Sequence, residues 1–299
     1  MNLLYFTKKP KNILIGLLQH YGGWIPDKIY LKWLFRLKMN DKLDLKNPKT
    51  FSEKLQWLKL YDRNPEYTKM VDKYAVKDYV AKIIGEEYII PTLGIWDKPE
   101  DIEWDKLPNR FVLKTTYGGG SNGVVICTDK SIFEKGKAIA KLRDSMKQDI
   151  YRTLREWPYK NVPKRIIAEQ YLEPSKKTND LPDYKFFCFN GEPKYCQVIS
   201  GRNTIESVDF FDKEWHHQPF HEPRYLPFAE VMPCRPVCYE KMWLLAKALS
   251  SGKSFSRIDF YEVDGRVLFG EITFFPTSGY GGFDPKPYDE LFGQMITLS

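Results

Sequence analysis

The chain has 299 residues, 42% hydrophobic and 28% charged, which is apolar enough for a buried core and not charged enough for a disordered polymer. No run of about 18 uncharged apolar residues occurs, so a membrane-spanning helix is not expected, and five cysteines are too few and too odd for a disulfide scaffold, which points to a reducing cytoplasm. The net charge of +7 sits in residues 1–50, where ten Lys/Arg face three Asp/Glu, so that end is expected to meet anionic partners or to be a solvated basic face.

In chain order, Lys8, Lys9 and Lys11 precede a short, glycine-interrupted apolar stretch with no small-residue cleavage site, which is not the pattern of a signal peptide. Residues 1–60 read as helical. In "DKIYLKWLFRLKM", Lys28, Lys32 and Arg36 recur at four-residue steps and form one basic stripe. That helix is expected either to cap the domain or to rest on a membrane. Thr50 or Ser52 caps the next helix, which runs through Leu60; Asp72 caps another, which Gly85 ends. From "YIIPTLGIW" onward the pattern shifts to short strands broken by Pro and Gly. A hairpin is predicted over roughly 110–127, followed by the helix "FEKGKAIAKLRDSMKQD" and the strand "RIIAEQYLE". A strand pair then turns at Asn190-Gly191, "VCYEKMWLLAKALSS" is an amphipathic helix, and "FSRIDFYEVDGRVLFGEITFFP" closes as another hairpin. The fold class is α+β with antiparallel sheets behind a helical N-terminal region.

Two stretches carry chemistry. In "FVLKTTYGGGSNGVVI" a strand delivers Lys114 to a loop that is nearly all backbone. Successive glycine amides form a concavity for phosphate oxygens, and the lysine adds a compact positive charge. Better-known nucleotide motifs fail. Lys247 stands where a Walker A loop needs its first glycine before Gly252-Lys253-Ser254, and a kinase places its glycine loop before the strand lysine. Cys234 and Cys238 near His216, His217 and His221 have unusual spacing for structural zinc.

The second stretch is the C-terminal hairpin. A three-residue connection Asp264-Gly265-Arg266 sets Val263 opposite Val267 and Asp259 opposite Glu271. Ile258, Phe260, Leu268, Ile272 and Phe274 then share one face; Arg257, Asp259, Glu271 and Thr273 share the other. A strict two-residue turn would put Glu271 on the apolar face. Two facing carboxylates are hard ligands suited to Mg²⁺ on nucleotide phosphates, unless Arg257 alone neutralises them.

Taken in order, "DKYAVKDYV", "LKTTYGGGSNGVVI", "IIAEQYL", "DYKFFCFNGEP" and "RIDFYEVDGRVLFGEITFFPTSG" resemble the ATP-grasp superfamily. With "NPKTFSEKLQWLKLYD" they are similar, more narrowly, to the TupA-like ATP-grasp proteins of bacterial surface-polysaccharide gene clusters. The similarity runs from about residue 30 to the C-terminus. It implies ATP and Mg²⁺ as cofactors, with Lys73 and Lys114 on the phosphates beneath a closing loop of Gly118, Gly119, Gly120, Ser121, Asn122 and Gly123. It places Glu169, Gln170, Tyr171 and Leu172 on adenine and ribose, and Asp183 as an acidic ribose or phosphate contact. Asp259 and Glu271 match the metal ligands, and Arg257, with Lys114, serves the transferred group. Many relatives carry Asn two residues after the metal Glu; here it is Thr273, a weaker ligand at the second metal position.

The resemblance divides the chain into a helical region over 1–107, a glycine-loop subdomain over 108–172 and a metal-binding subdomain over 173–299. It implies a ligase that joins a carboxylate, a uronic acid, to an amine such as an amino acid through an acyl phosphate. The partners are an acidic polysaccharide or lipid-linked glycan and a small amine, with no nucleic acid, in the cytoplasm or at the inner membrane face. A glycosyltransferase would want an Asp-x-Asp, which the chain lacks, and a phosphotransferase would need a hydroxyl acceptor.

Overall fold

The computed structural model describes residues 10–174, 180–201, 205–222 and 228–298. The lysines at 8 and 9 lie outside the described residues.

Helices α1 (Pro10–Tyr21) and α2 (Asp27–Met39) form an antiparallel hairpin around a turn at Gly22–Trp24. Lys11 Nζ, near the start of α1, donates to Asn40 Oδ1, just past the end of α2, at 2.9 Å. Their inner faces bury Ile25, Tyr30, Leu31, Leu34 and Phe35 with Leu43, Leu45 and Tyr280 in a core of their own. Helix α3 (Phe51–Tyr61) starts at Thr50 through a reciprocal cap: the Thr50 hydroxyl accepts from the Glu53 amide, and the Glu53 carboxylate accepts from the Thr50 amide, both at 3.1 Å. The short α4 (Glu66–Val71) and α5 (Ala75–Ile84) follow, with Gly85 at φ +117° ending α5.

The smaller sheet contains β1 (Thr92–Trp96), β2 (Phe111–Thr115), β3 (Val124–Cys127) and β4 (Ile166–Gln170) in the order β1-β4-β2-β3, antiparallel throughout. Strand β1 lies ahead of residue 108 and joins this sheet through β4. Helices α6 (Lys135–Met146) and α7 (Ile150–Leu154) connect β3 to β4. Phe111, Leu113, Ala168, Ile166 and Leu142 of α6 form the core beneath this sheet. Alternation along β2 then turns Lys114 to the other face.

The larger sheet contains β5 (Asp183–Phe189), β6 (Glu192–Ser200), β7 (Ser207–Phe211), β8 (Phe255–Val263) and β9 (Arg266–Thr273) in the order β7-β6-β5-β8-β9, also antiparallel. The β5–β6 turn is the two-residue Asn190-Gly191 expected, with both residues at positive φ. Helix α8 (Tyr239–Ser250) packs on one face against Phe186, Ile258 and Phe260. The short α9 (Pro287–Gln294) and α3 cover part of the other face, where Phe51, Phe255, Phe283 and Phe292 meet.

The β8–β9 register corrects the sequence reading. The connection is the two-residue Asp264-Gly265, with Val263 opposite Arg266, yet Asp259 still faces Glu271. A β-bulge between Asp259 and Phe260 reconciles the two: Phe260 pairs with Phe269, and Gly270 is the extra residue. Beyond the bulge the parity flips, so Val267 and Phe269 are buried where Leu268 was expected. A side chain at Gly270 would begin 3.1 Å from the Asp259 carbonyl oxygen, a tight approach that glycine avoids.

Candidate active site

Asp72 Oδ1 accepts from the amides of Tyr74 and Ala75 at 2.8 and 3.2 Å, and its Oδ2 pairs with Arg165 at 3.0 Å. This fixes Lys73, whose own amide donates to the Thr116 carbonyl at 2.8 Å. The Lys73 ammonium donates to the Gly118 carbonyl and lies 3.8 Å from Glu271 Oε2. One side chain therefore bridges the glycine loop of the small sheet and the carboxylate of the large one. Burial lowers its pKa, and Lys114 lowers it further against the pull of Glu271.

The loop divides into an anchored end and an open end. At Gly123 a Cβ would lie 2.2 Å from Thr115 Oγ1 and 2.7 Å from Ser145 Oγ, so the backbone sits directly on the layer beneath. Gly118 and Gly120 adopt φ of +106° and +73°, and Cβ atoms at Gly119 and Gly120 would meet nothing within 4 Å. Ser121 and Asn122 continue this loop as a short helical turn closed by Gly123. Close approach of an anion to the backbone is sterically possible at Gly119 and Gly120.

Lys114 Nζ is 2.6 Å from Glu169 Oε2, and Glu169 Oε1 is 2.6 Å from Lys77 Nζ. Lys77 also donates to the Ile90 carbonyl and the Thr92 hydroxyl, both at 2.7 Å. Burial pushes the Glu169 pKa up, but the two lysines outweigh it and hold the carboxyl below its ordinary value. These groups line a cleft closed on its apolar side by Ile89, Ile90 and Phe269. The sequence reading missed Lys77. Its signal is the four-residue step from Lys73, which returns it to the same side of the chain one helical turn on. Gln170 is exposed, with its amide on the Pro91 carbonyl; Tyr171 is half-buried beneath the Arg110 guanidinium, and Leu172 is also half-buried.

On the large sheet, the Arg257 guanidinium grips Asp259 through Nε–Oδ1 and Nη2–Oδ2, both 2.7 Å. The same Nη2 donates to Glu271 Oε1 at 2.9 Å and to the Thr273 hydroxyl at 3.2 Å, and that hydroxyl donates to Glu271 Oε1 at 2.9 Å. Lys185, two residues along β5 from Asp183 and directly across from Asp259, pairs with Asp259 at 2.6 Å and Asp183 at 3.3 Å. Burial lowers the Lys185 pKa, but Asp183 and Asp259 raise it more. Burial likewise raises Glu271, but Lys73, Arg257 and Lys185 draw it down to about 2. The Glu271 carboxylate is therefore held ionised.

The metal reading can be tested on these contacts. Arg257 and Lys185 fill three of the roughly four lone-pair positions of Asp259, leaving one on Oδ1. Among the described residues Glu271 Oε2 has only the long Lys73 contact at 3.8 Å. One oxygen of each carboxylate can therefore accept a hard cation, and the donor set fits Mg²⁺. Thr273 already positions Glu271, and its hydroxyl keeps one lone pair.

The family model described as TupA-like ATPgrasp matches residues 53–297. Among curated proteins no sequence matches. Similar solved structures include D-alanine–D-alanine ligase from Bacillus anthracis, at 20% identity and TM-score 0.39 over 68% of this chain and 56% of that one. D-alanyl-alanine synthetase A from Vibrio cholerae is 13% identical, with TM-score 0.46 over 82% and 68% of the two chains. The ATP-grasp ligase PsnB, solved with minimal precursor, Mg and ADP, is 11% identical, with TM-score 0.38 over 75% and 57%. The chain thus spans little more than half the length of the first of these, and likeness at this level adds nothing on activity. The match over residues 53–297 covers both sheets and the cleft between them, and on that match the chain belongs to the TupA-like ATP-grasp family.

Proposed function

We propose that this protein is an ATP-dependent carboxylate–amine ligase acting on a bacterial surface polysaccharide or its lipid-linked precursor. The observation that carries the reading is Lys73, which ties the glycine loop to the Arg257–Asp259–Glu271 cluster, so phosphate-binding and cation-binding groups share one cleft. Lys73, Lys114 and the amides near Gly119 and Gly120 would bind phosphate oxygens. Glu169 would hold Lys77 and Lys114 at the cleft and, with Gln170 to Leu172 and the apolar wall of Ile89, Ile90 and Phe269, meet adenosine; Asp183 supports Lys185. Asp259 and Glu271 would hold Mg²⁺, which supplies charge neutralisation at the phosphates when bound.

In the first step a substrate carboxylate oxygen attacks the γ-phosphorus of ATP; the bond to the bridging oxygen breaks and ADP leaves. In the second an amine attacks the acyl carbon, the carbon–oxygen bond to phosphate breaks, and the nitrogen loses a proton. Positioning and charge stabilisation carry both steps, with Arg257 and Lys114 facing negative charge that develops on the transferred group. The polysaccharide setting is supported by the family resemblance, and a uronic acid with an amino acid supplies the two functional groups required.

The test is incubation with MgATP, uronic-acid oligosaccharides and an amino-acid panel. ADP formation should require the carboxylate and turn over repeatedly only when the amine is also present, with a product equal to their summed mass less water. Phosphate retained on a hydroxyl would make the protein a phosphotransferase, and sugar-nucleotide consumption without ATP a glycosyltransferase.

A further inference from the structure

The α1–α2 hairpin presents an outward surface that the cleft does not use. On α1, Ile13, Leu14, Leu17 and Tyr21 are exposed, and their spacing confines them to about a third of the helix circumference. Trp24, in the turn, is 82% exposed. On α2 the exposed face alternates Lys28, Ile29, Lys32, Trp33 and Arg36, with Trp33 53% exposed. Seven of the nineteen large hydrophobic side chains exposed among the described residues fall between positions 13 and 33. Scattered exposed apolar residues are ordinary; this concentration is not.

The hairpin does not need this face to hold its place. Its inner face is buried with Leu43, Leu45 and Tyr280, the Tyr30 hydroxyl donates to the Thr153 carbonyl at 2.9 Å, and Arg155 lies 3.9 Å over the Tyr30 ring while pairing with Asp27. Charge decides what kind of surface fits the outer one. Lys28, Lys32 and Arg36 form no ion pair among the described residues; Arg36 donates only to the Asn40 carbonyl, and Asp44 faces Lys32 at longer range. Tryptophan and tyrosine rings between aliphatic side chains and unpaired cations suit the headgroup layer of a bilayer. There the rings sit at the polar boundary and the cations meet anionic lipid.

We propose that the outer face of α1 and α2 docks on an anionic phospholipid membrane. The proposal is independent of the ligase chemistry. The test is co-sedimentation of the full chain with vesicles of phosphatidylglycerol and phosphatidylcholine, against vesicles of phosphatidylcholine alone and against soluble uronic-acid polymer. Binding is expected to the anionic vesicles and not to the neutral ones, whether or not the polymer also binds at the cleft. The triple variant Lys28→Glu, Lys32→Glu, Arg36→Glu should bind at least about 100-fold more weakly, and Trp24→Ala with Trp33→Ala should also lose binding. Both should keep the wild-type melting temperature and ATP-induced stabilisation. Equal binding to neutral vesicles, no binding to either, or binding to the polymer in place of vesicles would each overturn the proposal. A vesicle affinity unchanged in the charge-reversed protein would do the same.

Discussion

Glu169 sits between two lysines of the cleft, and that one contact links stability to ligand binding. Replacing it with Gln leaves Lys77 and Lys114 side by side without a counter-charge in a nearly buried setting. Glu169→Gln is therefore expected to destabilise the protein by about 3 kcal/mol at neutral pH in chemical denaturation. The pH dependence has a definite sign. A carboxylate with a depressed folded pKa contributes its full stabilisation above its unfolded value near 4.5, and loses it as pH falls through the folded value. The wild type should thus lose stability on acidification below that point, and the variant should lose less. Equal acid slopes would contradict the assignment. Lys114→Ala is the complementary case: Lys77 still pairs with Glu169, so the chain should fold. ATP binding is expected to weaken by about 10–100-fold, roughly 1.4 kcal/mol per factor of ten, with loss of the ATP-induced rise in melting temperature. An unchanged rise would remove Lys114 from the site.

At the level of elements, the β8–β9 hairpin carries the face of Arg257, Asp259 and Glu271, and its register depends on a single inserted glycine. The Asp264-Gly265 turn alone would direct Glu271 into the core. The bulge at Gly270 returns it to the side of Arg257 and Asp259. Deletion of Gly270 takes out the extra residue, so Asp259 should still face Glu271 in a regular ladder, and the variant should fold and be stabilised by MgATP. A deletion variant that folds but has lost MgATP stabilisation would contradict the reading of Gly270 as the extra residue. The facing of Asp259 and Glu271 was legible because alternation sorted Ile258 and Ile272 from Arg257 and Thr273. The bulge was not, since a strand glycine does not announce an extra residue. Lys185 was readable in hindsight from its two-residue step after Asp183, and Lys77 from its four-residue step after Lys73, whereas the pairing of Lys77 with Glu169 depends on how α5 packs against β4.

Across the whole molecule, the helices with strong local signals were visible in sequence: the Thr50–Glu53 cap of α3, the Asp72 start and Gly85 stop around α5, and the Asn190-Gly191 turn. Elements held by long-range partners were not. Strand β7 is defined by pairing with β6, and α9 by packing against α3. Among the described residues no helix is long and apolar enough to cross a membrane. The cleft itself assembles the glycine loop of one sheet, the carboxylates of the other and the lysines of α5 and its leading turn. The central claim is that it activates a carboxylate as an acyl phosphate. The most direct measurement uses a uronic-acid oligosaccharide labelled with ¹⁸O in its carboxylate, turned over with MgATP and an amino acid. One labelled oxygen per turnover should appear in the inorganic phosphate, because the carboxylate oxygen that attacks phosphorus leaves with it. Turnover that yields unlabelled phosphate would contradict the account.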